Sequence, residues 1–288
     1  MEQFSVFLNF LLSQIKASVT IALILAVPLW STTTVGATLT WGVAAPGTPG
    51  VYSWQHLNNW NANGLHLTPI AIPGVASDVA DLSLLTLQAN QTINLDGSVT
   101  LGTLNIGSIG SGMSYTIAAG TGGSLTFNNG GTAALNKTGL GFDAITSNIV
   151  LADPTTFNVS EGALMLSGVI SGTGGITKEG DGLLVLRNTN TFTGVSTLNG
   201  GITLLATIGN DNNALGATGA AQATVINTGA TLALSADTFG SAFYSANEPL
   251  TLNGNGFRNN GALRNLMGAN GNQVGGVITL ASASRVQN

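Results

Sequence analysis

Beyond residue 77 the chain is a succession of short runs in which apolar side chains fall near every second position: VADLSLLTL, SVTLGTLNI, GSLTF, TTFNV, GALMLSGVI, GLLVLRN, ATVINTGATLAL and GVITLASA. A two-residue period marks a strand with one buried face. No helical stripe of useful length interrupts it, although ITSNIV and NNALGATGAA have room for a helical turn. Between the runs lie Gly, Asn, Asp and Ser, which accept positive φ or close a turn with a side-chain hydrogen bond. The pattern predicts an all-β chain and leaves three architectures: a sandwich or closed barrel, a transmembrane barrel, and a β-solenoid. Aromatic residues at only 6%, with no girdles flanking the strands, count against the membrane barrel. Asp96-Gly97, Asn199-Gly200 and Asn253-Gly254 have hairpin-turn composition and keep the sandwich open.

The solenoid is favoured by recurrence. A small turn, an alternating strand and a glycine return in GGSLTFNNGG, SEGALMLSGVISG, GDGLLVLRNTN, NGGITLLATIGN and NTGATLALSAD. In a solenoid each coil stacks its inward Leu, Val and Ile on those of the next, so no unit closes a core alone. Composition agrees. Charged residues are 7% of the 288, so the surface is built from Asn, Thr, Ser, Gln and Gly. A charge repeated on every coil would repel itself, whereas Asn and Thr form ladders. With seven Lys and Arg scattered along the chain and a net charge of −5, no basic patch for nucleic acid exists. The absence of cysteine removes disulfides and thiolate metal sites.

Residues 1–37 read as an export signal: Lys16, then the apolar run from Thr20 to Trp30, then small Val35 and Ala37 placed for cleavage after Ala37. An uncleaved anchor is the alternative. Residues 38–77 form a separate irregular segment holding Trp41, Trp54, Trp60, His56 and His66. Its aromatic side chains suit a plug over an open end of the apolar core. The solenoid repeats then occupy 78–288.

The best repeat, 172–205, contains Gly172, Gly174, Ile176, Lys178, Gly180, Gly182, Leu184, Leu186, Asn190, Thr191, Phe192, Gly194, Thr197, Leu198, Gly201, Ile202 and Leu204 in register. This segment resembles the autotransporter-associated β-strand repeat of passenger regions in bacterial surface and secreted proteins. The resemblance implies a right-handed parallel β-helix, secreted or held at the outer-membrane surface of a bacterium, serving a structural or adhesive role without catalysis. It implies contact with a membrane only through the export signal or a translocator domain not seen in this chain. Surface glycans, other surface proteins and self-association through an uncapped last coil are the expected partners, and no cofactor is expected. The alternative on the same fold is a carbohydrate-binding or carbohydrate-active protein of the lyase or glycosidase kind.

Candidate chemistry is sparse. Glu179 and Asp181 lie two apart, about 7 Å in extended chain, within the span of a glycosidase pair; the plainer reading makes KEGD a solvated corner. Tyr52, Trp54 and Trp60 offer a sugar-stacking platform, with core packing as the commoner use. His56 and His66, even with Asp78 or Asp81, fall short of convincing zinc ligation, and GNDNN (209–213) lacks calcium-loop spacing. GSIGSG (107–112) has no P-loop lysine, and Asn90, Asn136 and Asn158 sit in N-x-[ST] triplets that arise readily by chance.

Overall fold

From Val79 onward the alternating runs form strands, and each next strand in sequence goes to a different sheet. Pairing partners are one coil apart. Thr103–Gly107, Tyr115–Ala118 and Ser124–Phe127 make three sides of one coil, and Ala133–Thr138, Phe142–Ile145 and Asn148–Leu151 make the next. Stacking such coils gives sheets of 11, 10 and 4 strands among the described residues, here called the first, second and third sheets. The computed structural model describes residues 36–43, 47–62, 71–206, 213–219, 222–235, 243–244, 248–267 and 272–288. The export leader up to residue 35, His66 and most of GNDNN lie outside them.

Among the described residues the strand pairs are parallel except one, Trp60–Ala62 against Thr38–Trp41. A sandwich would pair sequence neighbours antiparallel, so the chain is a parallel β-solenoid. The dipeptides Asp96-Gly97 and Asn199-Gly200 turn corners between sheets and make no hairpins.

Inward side chains stack in columns along the first sheet. Leu39, Ala80, Leu104, Leu135 and Phe157 lie one above another, followed by Lys178, Leu198, Ile226, Leu252 and Leu280. Burying each Leu, Ile or Phe fully is worth about 1.5 to 3 kcal/mol, and the neighbouring coil supplies most of the cover. The last strand of this sheet, Ile278–Ser284, has no coil beyond it among the described residues, and Leu280 is 60% exposed.

The outer side of the same sheet carries a polar ladder. Asp81, Asn105, Asn136, Asn158 and Glu179 are successive partners. The Asn136 amide donates to Asn105 at 2.9 Å, Asn199 to Glu179 at 2.6 Å, and Asn227 to Asn199 at 2.7 Å. Such pairs join coils without stacking like charges.

The aromatic segment sits where plugging was expected, yet part of it is solenoid. Thr38–Trp41 and Gly50–Ser53 already pair in parallel with Val79–Leu82 and Gln91–Asn94. Coiling thus begins at residue 38, ahead of the boundary at 78, and Leu57–Ala62 and the chain from 71 to 77 provide the cover. Trp60 packs edge-on against Trp41 and Trp54, with ring centroids 5.0 and 4.6 Å apart.

In the repeat 172–205 the third side is a turn instead of a strand. Buried Asn190 accepts from the Ile170 N–H at 2.8 Å and donates to the Ala214 carbonyl at 2.7 Å, tying three coils together. Thr191 is exposed, while Phe192 fills the core beneath the turn. Gly194 is needed for approach, since a Cβ there would meet the Gly175 nitrogen at 2.2 Å. Asn190→Ala strands one buried donor and one buried acceptor, so urea denaturation of the variant should show a loss of about 2 to 5 kcal/mol; Asn190→Asp, which aims a buried carboxylate oxygen at the Ala214 carbonyl, should lose at least as much at neutral pH.

Candidate functional site

The corners joining the first sheet to the second are short and glycine-rich: Gly139 to Gly141, Ser160 to Gly162, Gly180 to Gly182, Asn199 to Gly201. They lie directly on one another. Gly201, at φ 62, is so close to the corner below that a Cβ would meet the Gly180 carbonyl oxygen at 2.5 Å. Consecutive coils are about 4.8 Å apart, which puts Glu161 and Asp181 in neighbouring corners, both exposed.

Farther along, the equivalent connection grows into the loop Asn255 to Gly261. It is closed by the Gly261 N–H on the Asn255 carbonyl at 2.8 Å. The Thr231 hydroxyl accepts from the Phe257 N–H at 2.9 Å and donates to the Gly261 carbonyl at 2.7 Å. Arg285 donates to the Asn259 carbonyl at 2.8 Å. These bonds hold Arg258 and Asn259 in the left-handed region, at φ 52 and 61, a conformation that costs a non-glycine residue about 1 kcal/mol or more. The Arg258 guanidinium lies over the Phe257 ring, 4.9 Å from its centroid.

Between this loop and the acidic corners is an open groove of about 440 Å³. Glu161 and Asp181 supply acceptors, Arg258 supplies donors, and half-buried Leu183, Ile202 and Phe257 supply apolar contact. Here such groups from separate coils converge on a concave surface.

The residues singled out from sequence are distributed differently. Trp54 and Trp60 are fully buried, and their indole N–H groups are engaged by the Pro73 and Trp54 carbonyls at 2.9 and 2.8 Å. Neither presents a face to a sugar. Tyr52 is half-buried with its ring edge-on to Trp41 at 6.1 Å, so the proposed stacking platform is core packing of the cap. Exposed His56 is in no metal-competent group, since no three His, Cys, Asp or Glu gather among the described residues. Buried Asp78 is occupied by the backbone N–H groups of Ala37, Gly74 and Val75.

KEGD is only partly the solvated corner expected. Asp181 faces water and Glu179 is a rung of the polar ladder, but Lys178 is fully buried among the apolar columns. Its ammonium donates to the carbonyls of Glu179 and Gly180 at 2.8 Å and of Gly200 at 3.2 Å. Burial pushes its pKa down to about 8, opposed by the nearby charges of Glu179 and Asp181. The groove is lined by Glu161 and Asp181, whereas Glu179 is taken up by Asn199.

The same device occurs two coils earlier. Lys137 is fully buried, donates to the Thr138 and Gly139 carbonyls at 2.7 and 2.5 Å, and pairs with buried Asp143 at 3.2 Å. Desolvation raises the Asp143 pKa, against the opposing pull of the Tyr115 N–H and of Lys137. The signal for it was present in sequence: Lys137-x-Gly139-x-Gly141 repeats Lys178-x-Gly180-x-Gly182.

Buried Glu248 accepts from the Thr224 hydroxyl at 2.7 Å, and desolvation raises its pKa to about 7 against that hydrogen bond. A carboxyl with a raised folded-state pKa stabilises the fold below the unfolded value of 4.5 and loses that contribution as pH rises through 7. Glu248→Gln should remove this dependence. Measured from pH 4 to 8, the melting temperature of the variant should gain several degrees on the parent at the upper end and little at the lower.

No family model, no curated protein and no solved structure matches this chain.

Proposed function

We propose that this chain is an exported solenoid of the passenger type, a structural and adhesive module at the surface of a bacterium or outside the cell. The observation that supports it best is the exposed groove at the stacked corners. Acceptors, a donor and apolar side chains from separate coils meet there on a scaffold whose lateral face is a ladder made chiefly of asparagine. Contacts of this kind suit binding of a surface glycan or a surface protein. The likeness of 172–205 to the passenger repeat supports the same reading, as does the charge-then-apolar-then-small order of residues 16–37.

A second reading, a carbohydrate-active enzyme, draws on Glu161 and Asp181 standing in consecutive corners of one groove, as a glycosidase's two carboxylates flank one bond. Both carboxylates sit on an open, solvated edge, whereas a general acid is made by desolvating neighbours. The binding reading therefore takes precedence.

Cell fractionation of a bacterium expressing the full chain should place it in the medium or on the outer surface with the leader removed, and retention in the cytoplasm would sink the proposal. A reducing-sugar assay against a panel of polysaccharides should detect no release; hydrolysis of any of them would favour the enzyme. Self-association belongs to the same proposal. The strand Ile278–Ser284, last of its sheet among the described residues, carries no charge and no proline, the usual guards of a sheet edge. Sedimentation should show concentration-dependent oligomers that Leu280→Lys disperses.

A further inference from the structure

We infer that the groove at the stacked corners is a binding site for a neutral glycan, reading the hydroxyls of one or two sugar units. This rests on the adhesive function proposed above and names its ligand class.

The groove carries two carboxylates and one guanidinium, so its own charge is −1 when all three are ionised. An acidic polysaccharide would face Glu161 and Asp181, and a cationic peptide would face Arg258. A neutral polyol uses both kinds of group. Its vicinal hydroxyls donate to a carboxylate and accept from a guanidinium, and neither interaction needs a net charge on the ligand. The apolar side chains Leu183, Ile202 and Phe257 suit the C–H face of a pyranose. A volume of about 440 Å³ fits a mono- or disaccharide portion of a longer chain, and the open sides let that chain continue.

The loop is arranged for this before any ligand arrives. Arg258 is stacked on Phe257 at 4.9 Å, which limits the rotamers of its long side chain. Its backbone is held left-handed by the bonds from Thr231 and Arg285 that flank it. A backbone strain at a residue whose side chain lines a groove is the kind of outlier that preorganised sites carry. Glycine at 258 would hold the same conformation without strain.

Isothermal titration of the full chain should be run with two probes of matched length, a neutral β-glucan hexasaccharide and a galacturonan hexasaccharide. Binding should be detected with the neutral probe and be at least tenfold weaker with the uronate. Arg258→Gly should weaken neutral binding tenfold or more while the melting temperature stays level or rises, which separates recognition from a structural role. The double variant Glu161→Gln, Asp181→Asn should weaken it similarly. Preference for the uronate, or variants that bind as the parent does, would overturn the inference. If a glycan array registers neutral ligands that the groove variants still bind, the adhesive reading stands and only the placement of its site is wrong. If no neutral glycan binds at millimolar concentration, the inference falls, while surface localisation continues to test the wider proposal by itself.

Discussion

Coil-to-coil pairing in parallel is the constraint on which everything else here depends. Each coil has one inward row of side chains, and it cannot be enclosed by the coil that carries it. Leu135 is covered by Leu104 and Phe157, and Phe157 in turn by Leu135 and Lys178. Any position is thus surrounded by copies of its own structural role, and the same rule applies outside. A charge placed on the outer row would stand about 4.8 Å from the next one, which accounts for a ladder made chiefly of asparagine. It also accounts for the need for a cap. The coil beginning at Thr38 would expose its apolar edge without the antiparallel strand Trp60–Ala62 and the buried indoles of Trp41, Trp54 and Trp60.

The same constraint explains the two internal lysines. At two corners a lysine ammonium takes up backbone carbonyls from within the core, and a buried unpaired carbonyl costs about 1 to 3 kcal/mol. Lys178 reaches three such carbonyls and Lys137 two. The solutions differ in charge balance. Lys137 has Asp143 beside it within the core, whereas Lys178 has Glu179 and Asp181 nearer the surface, and burial pushes its pKa down to about 8.

Corners are also where recognition groups accumulate. Their glycines stack in near contact, so a side chain borne on one corner stands at a fixed offset from that on the next, as Glu161 does from Asp181. The strained loop at Arg258 adds a donor and an aromatic ring that no short corner would have room to carry. A solenoid assembled from weakly similar coils thereby obtains a concave surface without any dedicated insertion domain.

Much was legible in the order of residues. The two-residue period, the turn glycines, the scarcity of charge and the in-register pattern from Gly172 to Gly194 were enough for an all-β coiled fold, and they placed Leu184 and Leu186 inside. These are properties of local backbone preference and of side chains repeated at one role. Two features were decided only by tertiary structure. Burial of Lys178, Trp54 and Trp60 depends on where a coil's neighbours lie, and residue type misleads there because a lysine ordinarily faces water and an exposed indole looks like a binding platform. The groove depends on stacking offsets that bring residue 161 beside 181 and residue 258 across from both. Separation along the chain says nothing of such proximity, since one residue meets another only after the intervening coils have been laid down.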